Sequence, residues 1–113
     1  MPPLICSLSF QSILLNYQPI QTYSSVCARV TCYEATGYRT ASMKVPKNGM
    51  VATSDRTIPL GSKVIIDGKT YTVEDRTAKW VDTKFKYHTI DIFSEQGCKG
   101  FGLHYKVVKI ISN

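Results

Sequence analysis

Short runs of β-forming residues separated by turn residues make up the chain from residue 29 onward. The Thr-Ile-Asp-Ile-Phe run at 89–93 alternates polar and apolar residues, as a half-buried strand does. Repeated short strands at this spacing predict an all-β barrel or a sandwich. The predicted strands are Arg29–Tyr33, Met50–Thr53, Ser62–Ile66, Lys69–Val73, Thr89–Phe93 and Tyr105–Ile111.

The strongest local signal is the Asp67-Gly68 pair between two of these runs. A two-residue Asp-Gly loop favours a tight hairpin, because both turn positions need a positive φ. A helical turn is conceivable within 94–101, but Gly97 and Gly100 disfavour it. We therefore expect little helix.

Charge divides the chain at Ala28. All 14 Lys and Arg and all 8 Asp and Glu follow that residue. The division predicts an uncharged N-terminal segment, 1–28, and a barrel domain, 29–113. Val26-Cys27-Ala28 has the small residues of a signal-peptidase site, but a basic start is lacking and polar residues interrupt the apolar stretch. The segment is either a signal peptide or an extension that packs on the domain or is partly disordered, and no run is long enough to span a membrane.

A length of 113 residues fits a single domain. The net charge of +6 favours polyanions, which include nucleic acid, anionic membranes and anionic cell-wall polymers. The cations form no long run, so charge alone does not choose among these partners.

The four cysteines are compatible with two interpretations. An even count suits one or two disulfides in an exported protein, and small buried thiols fit equally well. His88 and His104 have no acidic residue or cysteine at metal-binding spacing, so we expect no metal and no other cofactor. The cysteines are Cys6, Cys27, Cys32 and Cys98.

Asp91 is the most unusual candidate for chemistry, because it lies within an apolar strand. Burial raises the pKa of a carboxyl group, and a second carboxylate nearby raises it further. A carboxylic acid that stays protonated can protonate the leaving oxygen of a glycosidic bond. The alternative is that Asp91 faces solvent. For Asp55 and Asp75 the alternative is turn capping.

Residues 30–111 resemble the 3D domain family, named for three aspartates. They also resemble the wider group of double-psi barrels that includes membrane-bound lytic transglycosylase A, rare lipoprotein A and the expansins. The motifs that carry the resemblance occur in the family's order: Thr40-Ala41-Ser42, Val51-Ala52-Thr53-Ser54-Asp55, Ile58-Pro59-Leu60-Gly61-Ser62-Lys63-Val64, Val73-Glu74-Asp75-Arg76, Ile90-Asp91-Ile92-Phe93 and Gly100-Phe101-Gly102.

The resemblance implies a six-stranded double-psi β-barrel with a shallow groove and the activity of a peptidoglycan lytic transglycosylase. Asp91 then corresponds to the catalytic acid, Asp75 tunes or orients it, and Asp55 braces the groove. The expected products carry 1,6-anhydro ends. The predicted substrate-binding residues are Tyr33, Thr40, Ser42, Trp80 and Tyr87.

The same resemblance implies that the partner is a peptidoglycan glycan strand and that the protein is a monomer. It implies an exported protein, periplasmic or wall-associated, or a phage-encoded lysis factor. The alternative function is a non-catalytic wall-binding or expansin-like wall-loosening module. A weaker alternative, nucleic-acid binding, lacks any recognised module.

Two departures from the family pattern bear on this assignment. Met43 and the Arg76-Thr77-Ala78 segment stand where the family often has glycine, and a residue other than glycine would alter a loop that needs its freedom. The insert Lys79–His88 is basic, with Trp80, Phe85 and Tyr87 interleaved. The insert either forms a groove wall, with aromatic faces that stack on sugars, or is a solvated loop whose aromatic residues cover the barrel end.

Overall fold

The computed structural model describes residues 22–85 and 88–112, which form six strands and one short helix. The sequence prediction of an all-β protein with little helix is confirmed. The elements are β1 (Thr22–Tyr33), β2 (Met50–Thr53), β3 (Lys63–Ile66), β4 (Lys69–Arg76), α1 (Lys79–Lys84), β5 (His88–Phe93) and β6 (His104–Ser112).

The strands close into a barrel in the order β1-β5-β2-β4-β3-β6. The pairs β1–β5 and β2–β4 are parallel, and the other four pairs are antiparallel. If β1, β2 and β3 exchange places with β4, β5 and β6, every strand keeps the same pair of neighbours. The two halves of the barrel therefore have the same topology. Of the two architectures that the strand pattern allowed, the protein adopts the barrel, in which every strand is paired on both sides.

β1 closes the barrel and is longer than the sequence pattern predicted. Its first part, from Thr22, pairs with β6, and its last part, to Tyr33, pairs with β5. The charge boundary at Ala28 therefore falls inside this strand. Ala28 is fully buried, and Val26 packs against the core.

Alternate residues of each strand point into the barrel and form its core. Val30 in β1 and Ile90 in β5 are buried in this core. The residues that alternate with them point to the outer face and include Arg29, Thr31 and Asp91. The fully buried side chains of the apolar core include Val30, Val51, Val64, Val73, Ile90 and Val108.

The predicted hairpin is present, with φ of 50° at Asp67 and 80° at Gly68. The strand after it, β4, continues past the predicted end at Val73 to Arg76. Polar residues at 74–76 gave no β signal, but Asp75 and Arg76 pair with β2 across a register shift between Val51 and Ala52. Strand pairing therefore overrides local preference at this point.

Of the two alternatives for Lys79–His88, the solvated loop is wrong for the first part of the segment, which is helix α1. Contacts with the rest of the chain hold this short helix in place, because Asp82 accepts hydrogen bonds from Arg56 Nε (3.0 Å) and Thr77 Oγ1 (3.0 Å). The segment 94–101, by contrast, forms turns without helix.

The described cysteines are oxidised. Cys32 at the end of β1 and Cys98 after β5 form a disulfide across 66 residues of sequence, and Cys27 is also disulfide-bonded. No described cysteine is a free thiol. In residues 22–85 and 88–112, no helix has the length and apolar character needed to cross a membrane.

Candidate functional site

The barrel brings Asp75 and Asp91 to one outer face. Ala52 on β2 is paired with Asp75 on β4 at one side and with Asp91 on β5 at the other. Residues paired across a sheet share a face, and the adjacent Val51 and Ile90 belong to the core on the inner face. The two aspartates, which are 16 positions apart in sequence, thus lie on either side of one small residue.

Asp91 is half-buried, and its Oδ1 accepts a hydrogen bond of 2.6 Å from the Thr31 hydroxyl. Burial raises the pKa of this carboxyl, and the charge of Asp75 raises it further. The Thr31 hydrogen bond and the charge of Arg29 act in the opposite direction but do not cancel the effect. Asp91 therefore holds a proton more readily than an exposed aspartate does.

Asp75 is held by three hydrogen-bond donors. Its Oδ2 accepts from the Tyr33 hydroxyl (3.0 Å), and its Oδ1 accepts from the backbone N–H groups of Ala41 (2.9 Å) and Arg76 (2.9 Å). Burial and the charges of Asp75 and Asp91 raise the pKa of Tyr33 far above its ordinary value. Tyr33 is consequently a neutral donor that fixes the Asp75 carboxylate.

Three alternating residues of β1, Arg29, Thr31 and Tyr33, line the same face. The Arg29 guanidinium carbon lies 3.7 Å from the centre of the Phe85 ring, a cation–π contact. Thr31 bonds Asp91 and Tyr33 bonds Asp75. We call this continuous surface the Asp91 strip, defined as Phe85, Arg29, Thr31, Asp91, Tyr33 and Asp75.

An exposed aromatic residue extends the strip at the α1 end. Trp80 is 61% exposed, and its ring centre lies 6.4 Å from that of Phe85. The Lys84 ammonium lies 5.7 Å from the Trp80 ring and 5.6 Å from the Phe85 ring. Such a surface offers a flat apolar face and a cation together. The predicted contact residue Tyr87 lies outside the described residues.

Thr40 and Ser42, two other predicted contact residues, hold the β1–β2 loop (residues 34–49) together. Thr40 is only 2% exposed, and its Oγ1 lies 3.0 Å from Ser42 Oγ and accepts from the Lys44 N–H. The Ser42 N–H donates to the Glu74 carbonyl oxygen on β4. These bonds fix the loop beside β4, where the Ala41 N–H reaches Asp75.

The same loop explains the first departure from the family pattern. Met43 has a φ of 69°, the left-handed conformation that glycine adopts without strain. The backbone therefore keeps the conformation of a glycine position although the residue is methionine. At the second departure, Arg76-Thr77-Ala78, no residue has a positive φ, so that segment does not require glycine.

Asp55 is placed differently from the other two aspartates. Its Oδ1 accepts from the Thr57 N–H (2.9 Å) and hydroxyl (2.6 Å), the capping contacts of a turn. His88 Nδ1 is 3.4 Å from its Oδ2, without hydrogen-bond geometry. Burial alone would raise the pKa of Asp55, but the Thr57 hydrogen bonds and the charges of His88 and Arg76 outweigh it, and the pKa is lowered. Asp55 thus caps its own loop.

Sequence reasoning did not single out Arg29 or Thr31. Both are half-buried polar residues that alternate with the buried Val30 in β1. That alternation is a signal that they share the outer face with Tyr33. Their partners on β5 and after α1 are more than 50 residues away in the chain, so only the parallel pairing of β1 with β5 reveals them.

Residues 22–85 and 88–112 contain no cluster of three or more His, Cys, Asp or Glu able to hold a metal ion. Comparison of the chain with protein-family models, curated proteins and solved structures gives no match. The relation to the 3D domain family consequently stays a prediction from the motifs.

Proposed function

We propose that this protein is a peptidoglycan lytic transglycosylase in which Asp91 is the general acid. The observation that carries the proposal is the half-buried Asp91 carboxyl, whose pKa is raised by burial and by Asp75. General acid catalysis at a glycosidic oxygen requires a carboxyl that is still protonated at the working pH. Asp91 is also only half-buried, on the outer face of the barrel.

The proposed reaction needs one acid and no water. Protonated Asp91 gives its proton to the glycosidic oxygen as the bond from that oxygen to the anomeric carbon breaks. The 6-hydroxyl of the same sugar then attacks the anomeric carbon and returns its proton to Asp91, which regenerates the acid. The product carries a 1,6-anhydro end. Thr31 donates to Oδ1 of Asp91, and this leaves Oδ2 to carry the proton.

Asp75 and its three donors support the acid in this proposal. The negative charge of Asp75 opposes ionisation of Asp91, and the hydrogen bonds from Tyr33, Ala41 and Arg76 keep that charge in place. Trp80 and Phe85 supply aromatic faces on which a sugar can stack. The glycan strand would lie along the Asp91 strip, from α1 towards the β1–β2 loop.

Two features of the fold are consistent with the family that the motifs resemble. The two parallel strand pairs and the topological relation between the halves are compatible with a double-psi arrangement. The Cys32–Cys98 disulfide suits an exported protein that works in an oxidising compartment, at the cell wall.

The direct test is mass spectrometry of purified peptidoglycan after digestion by wild-type protein and by Asp91→Asn. We expect 1,6-anhydro products from wild type and a loss of roughly 10²–10⁴-fold in the variant, since the transferable proton is removed. Asp67→Asn, the same change in an exposed hairpin turn, is the matched control and should retain activity. Full activity in Asp91→Asn would contradict the proposal, and products with reducing ends would indicate hydrolysis instead.

A second candidate function is a non-catalytic wall-binding or wall-loosening module. The exposed Trp80 with the Lys84 ammonium above its ring favours it, because binding requires such a surface but no acid. In the same assay, a wild type that sediments with peptidoglycan and releases no fragments would support this candidate. Trp80→Ala should then weaken sedimentation, whereas Asp91→Asn should not.

A further inference from the structure

A cavity of about 580 Å³ opens at the end of the barrel where the Asp67-Gly68 hairpin lies. It is bounded by the end of β5 and by the first residues of β4. A smaller cavity of about 230 Å³ adjoins it and shares four of its lining residues. The shared residues are Lys69, Tyr71, Ile92 and Phe101.

This cavity is separate from the Asp91 strip. Neither Asp75 nor Asp91 lines it. Phe93 lines the larger cavity and packs edge-on against Tyr33 of the strip, with ring centres 5.3 Å apart. A molecule in the cavity would therefore not occupy the position proposed for a glycan strand.

The walls of the cavity include apolar surface that the barrel leaves accessible. Tyr71, Ile92 and Phe101 pack against the core yet are only half-buried, unlike the fully buried Ile90 and Val73 deeper in the barrel. The volume lies within the range of roughly 300–1,000 Å³ typical of small-molecule sites, which combine an apolar lining with a few polar groups. The lining thus suits the apolar body of a small molecule.

Hydrogen bonds and a disulfide also hold the cavity walls in place without a ligand. Asn48 and Glu95 exchange two hydrogen bonds, one from the Asn48 N–H (2.9 Å) and one to Asn48 Oδ1 (2.8 Å). The Asn48 side chain also donates to Gln96 (3.2 Å). On the other side, the Cys32–Cys98 disulfide fixes the 94–101 turns to β1. A preformed site loses little conformational entropy when it is filled.

The two lysines that line the cavities differ in their ion pairing. Lys106 is paired with Asp67, so these two charges offset each other. Lys69 lines both cavities and has no ion-pair partner within residues 22–85 and 88–112. Of the two lysines that line the cavities, Lys69 is therefore the one whose ammonium group is not ion-paired within the described residues.

We propose that this barrel-end cavity binds a small amphipathic carboxylate. Its apolar body lies against Tyr71, Ile92 and Phe101, and its carboxylate pairs with the Lys69 ammonium. This site is independent of the proposed glycan cleavage, since it uses none of the groups of the Asp91 strip.

The test uses the full chain and two probes of equal chain length, octanoate and octanol, titrated in separate experiments. Backbone amide resonances are followed by NMR. We expect saturable shifts centred on residues 69–71, 92–97 and 101. Octanoate should bind about two- to fivefold more tightly than octanol, since an ion pair at an exposed rim is weak.

Lys69→Met keeps the apolar stem of the side chain and removes its charge. In this variant the affinities of the two probes should become equal. Lys63→Met, which removes the same charge outside the cavity lining, should keep the preference for octanoate. The proposal is overturned if no shift saturates, if the shifts centre on the Asp91 strip, or if Lys69→Met leaves the preference unchanged.

Discussion

Met43 has a backbone conformation that is costly for any residue other than glycine. Its φ of 69° and its 69% exposure mean that the side chain gains little packing while the backbone pays for a left-handed conformation. For a residue other than glycine this conformation costs about 1–2 kcal/mol. Asp67 also has a positive φ, but aspartate tolerates that region better.

Met43→Gly should therefore stabilise the protein. The relief of strain exceeds the extra entropy that glycine brings to the unfolded chain, and we expect a net gain of about 0.5–1 kcal/mol. Chemical denaturation measures this directly. Asp67→Gly is the matched control and should gain less, because the Lys106 ion pair is lost as well. A destabilised Met43→Gly protein would contradict the strain argument.

Asp91 carries a stability cost that follows from its burial. Its folded-state pKa is raised, so folding favours the protonated form. The resulting contribution to stability is fully present below the unfolded pKa of about 3.9 and is lost as pH rises through the raised folded value. Near pH 7 the ionised, half-buried carboxylate thus opposes folding.

Asp91→Asn should accordingly match or exceed the thermal stability of wild type at pH 7, with the difference shrinking towards pH 3. Glu74→Gln is a control of opposite sign. Burial alone would raise the pKa of Glu74, but hydrogen bonds from Lys44 and Ser42 outweigh it and the pKa is lowered. Glu74→Gln should lose stability at pH 7 and less in acid. A lower Tm for Asp91→Asn at pH 7, with wild-type-like spectra, would refute the assignment of a raised pKa.

At the scale of secondary-structure elements, β1 is the strand on which both the barrel and the site depend. It pairs with β6 and with β5, and its outward residues hold both carboxylates of the Asp91 strip. A cut after Ala28, the site that resembles a signal-peptidase motif, would remove residues 22–28 of this strand. The β6 edge opposite them would then be unpaired.

A chain that starts at Arg29 should fail to unfold cooperatively. It loses the pairing of residues 22–28 with residues 106–112, together with the buried Ala28 and the packing of Val26. The free energy of unfolding of a domain is typically about 5–15 kcal/mol, and the loss of these contacts removes most of it. Calorimetry checks this, with a chain that starts at Thr22 and carries Cys27→Ser as the control, so that neither chain has the disulfide of Cys27. Equal transition temperatures for the two chains would show that the first part of β1 is dispensable.

At the scale of the whole molecule, the net charge of +6 should contribute to the proposed binding of anionic wall polymers. Screening weakens such attraction, because the Debye length falls from about 10 Å at 0.1 M salt to about 3 Å at 1 M. Sedimentation with purified walls should therefore decrease as salt rises. Lys84→Gln, next to Trp80, should reduce binding at low salt more than Lys63→Gln does. Binding that is unchanged between low and high salt would exclude an electrostatic contribution.

The sequence by itself determined the local features of the structure. Alternating and β-branched residues predicted all six strands, with the bounds of β2 correct, and Asp67-Gly68 predicted the hairpin. It also singled out Asp91 as an acid in an apolar strand. These features depend on residues adjacent in the chain, whose propensities and periodicity a sequence displays directly.

The tertiary structure alone decided the features that depend on distant partners. Pairing with β2 extended β4 to include Asp75, and contacts with Asp82 held α1 where a solvated loop was one of the two alternatives. Closure of the barrel linked Cys32 to Cys98 and Thr31 to Asp91, pairs 66 and 60 positions apart. The pKa of Asp91 depends on this assembly, because burial and the proximity of Asp75 exist only once strands from both halves of the chain share one face.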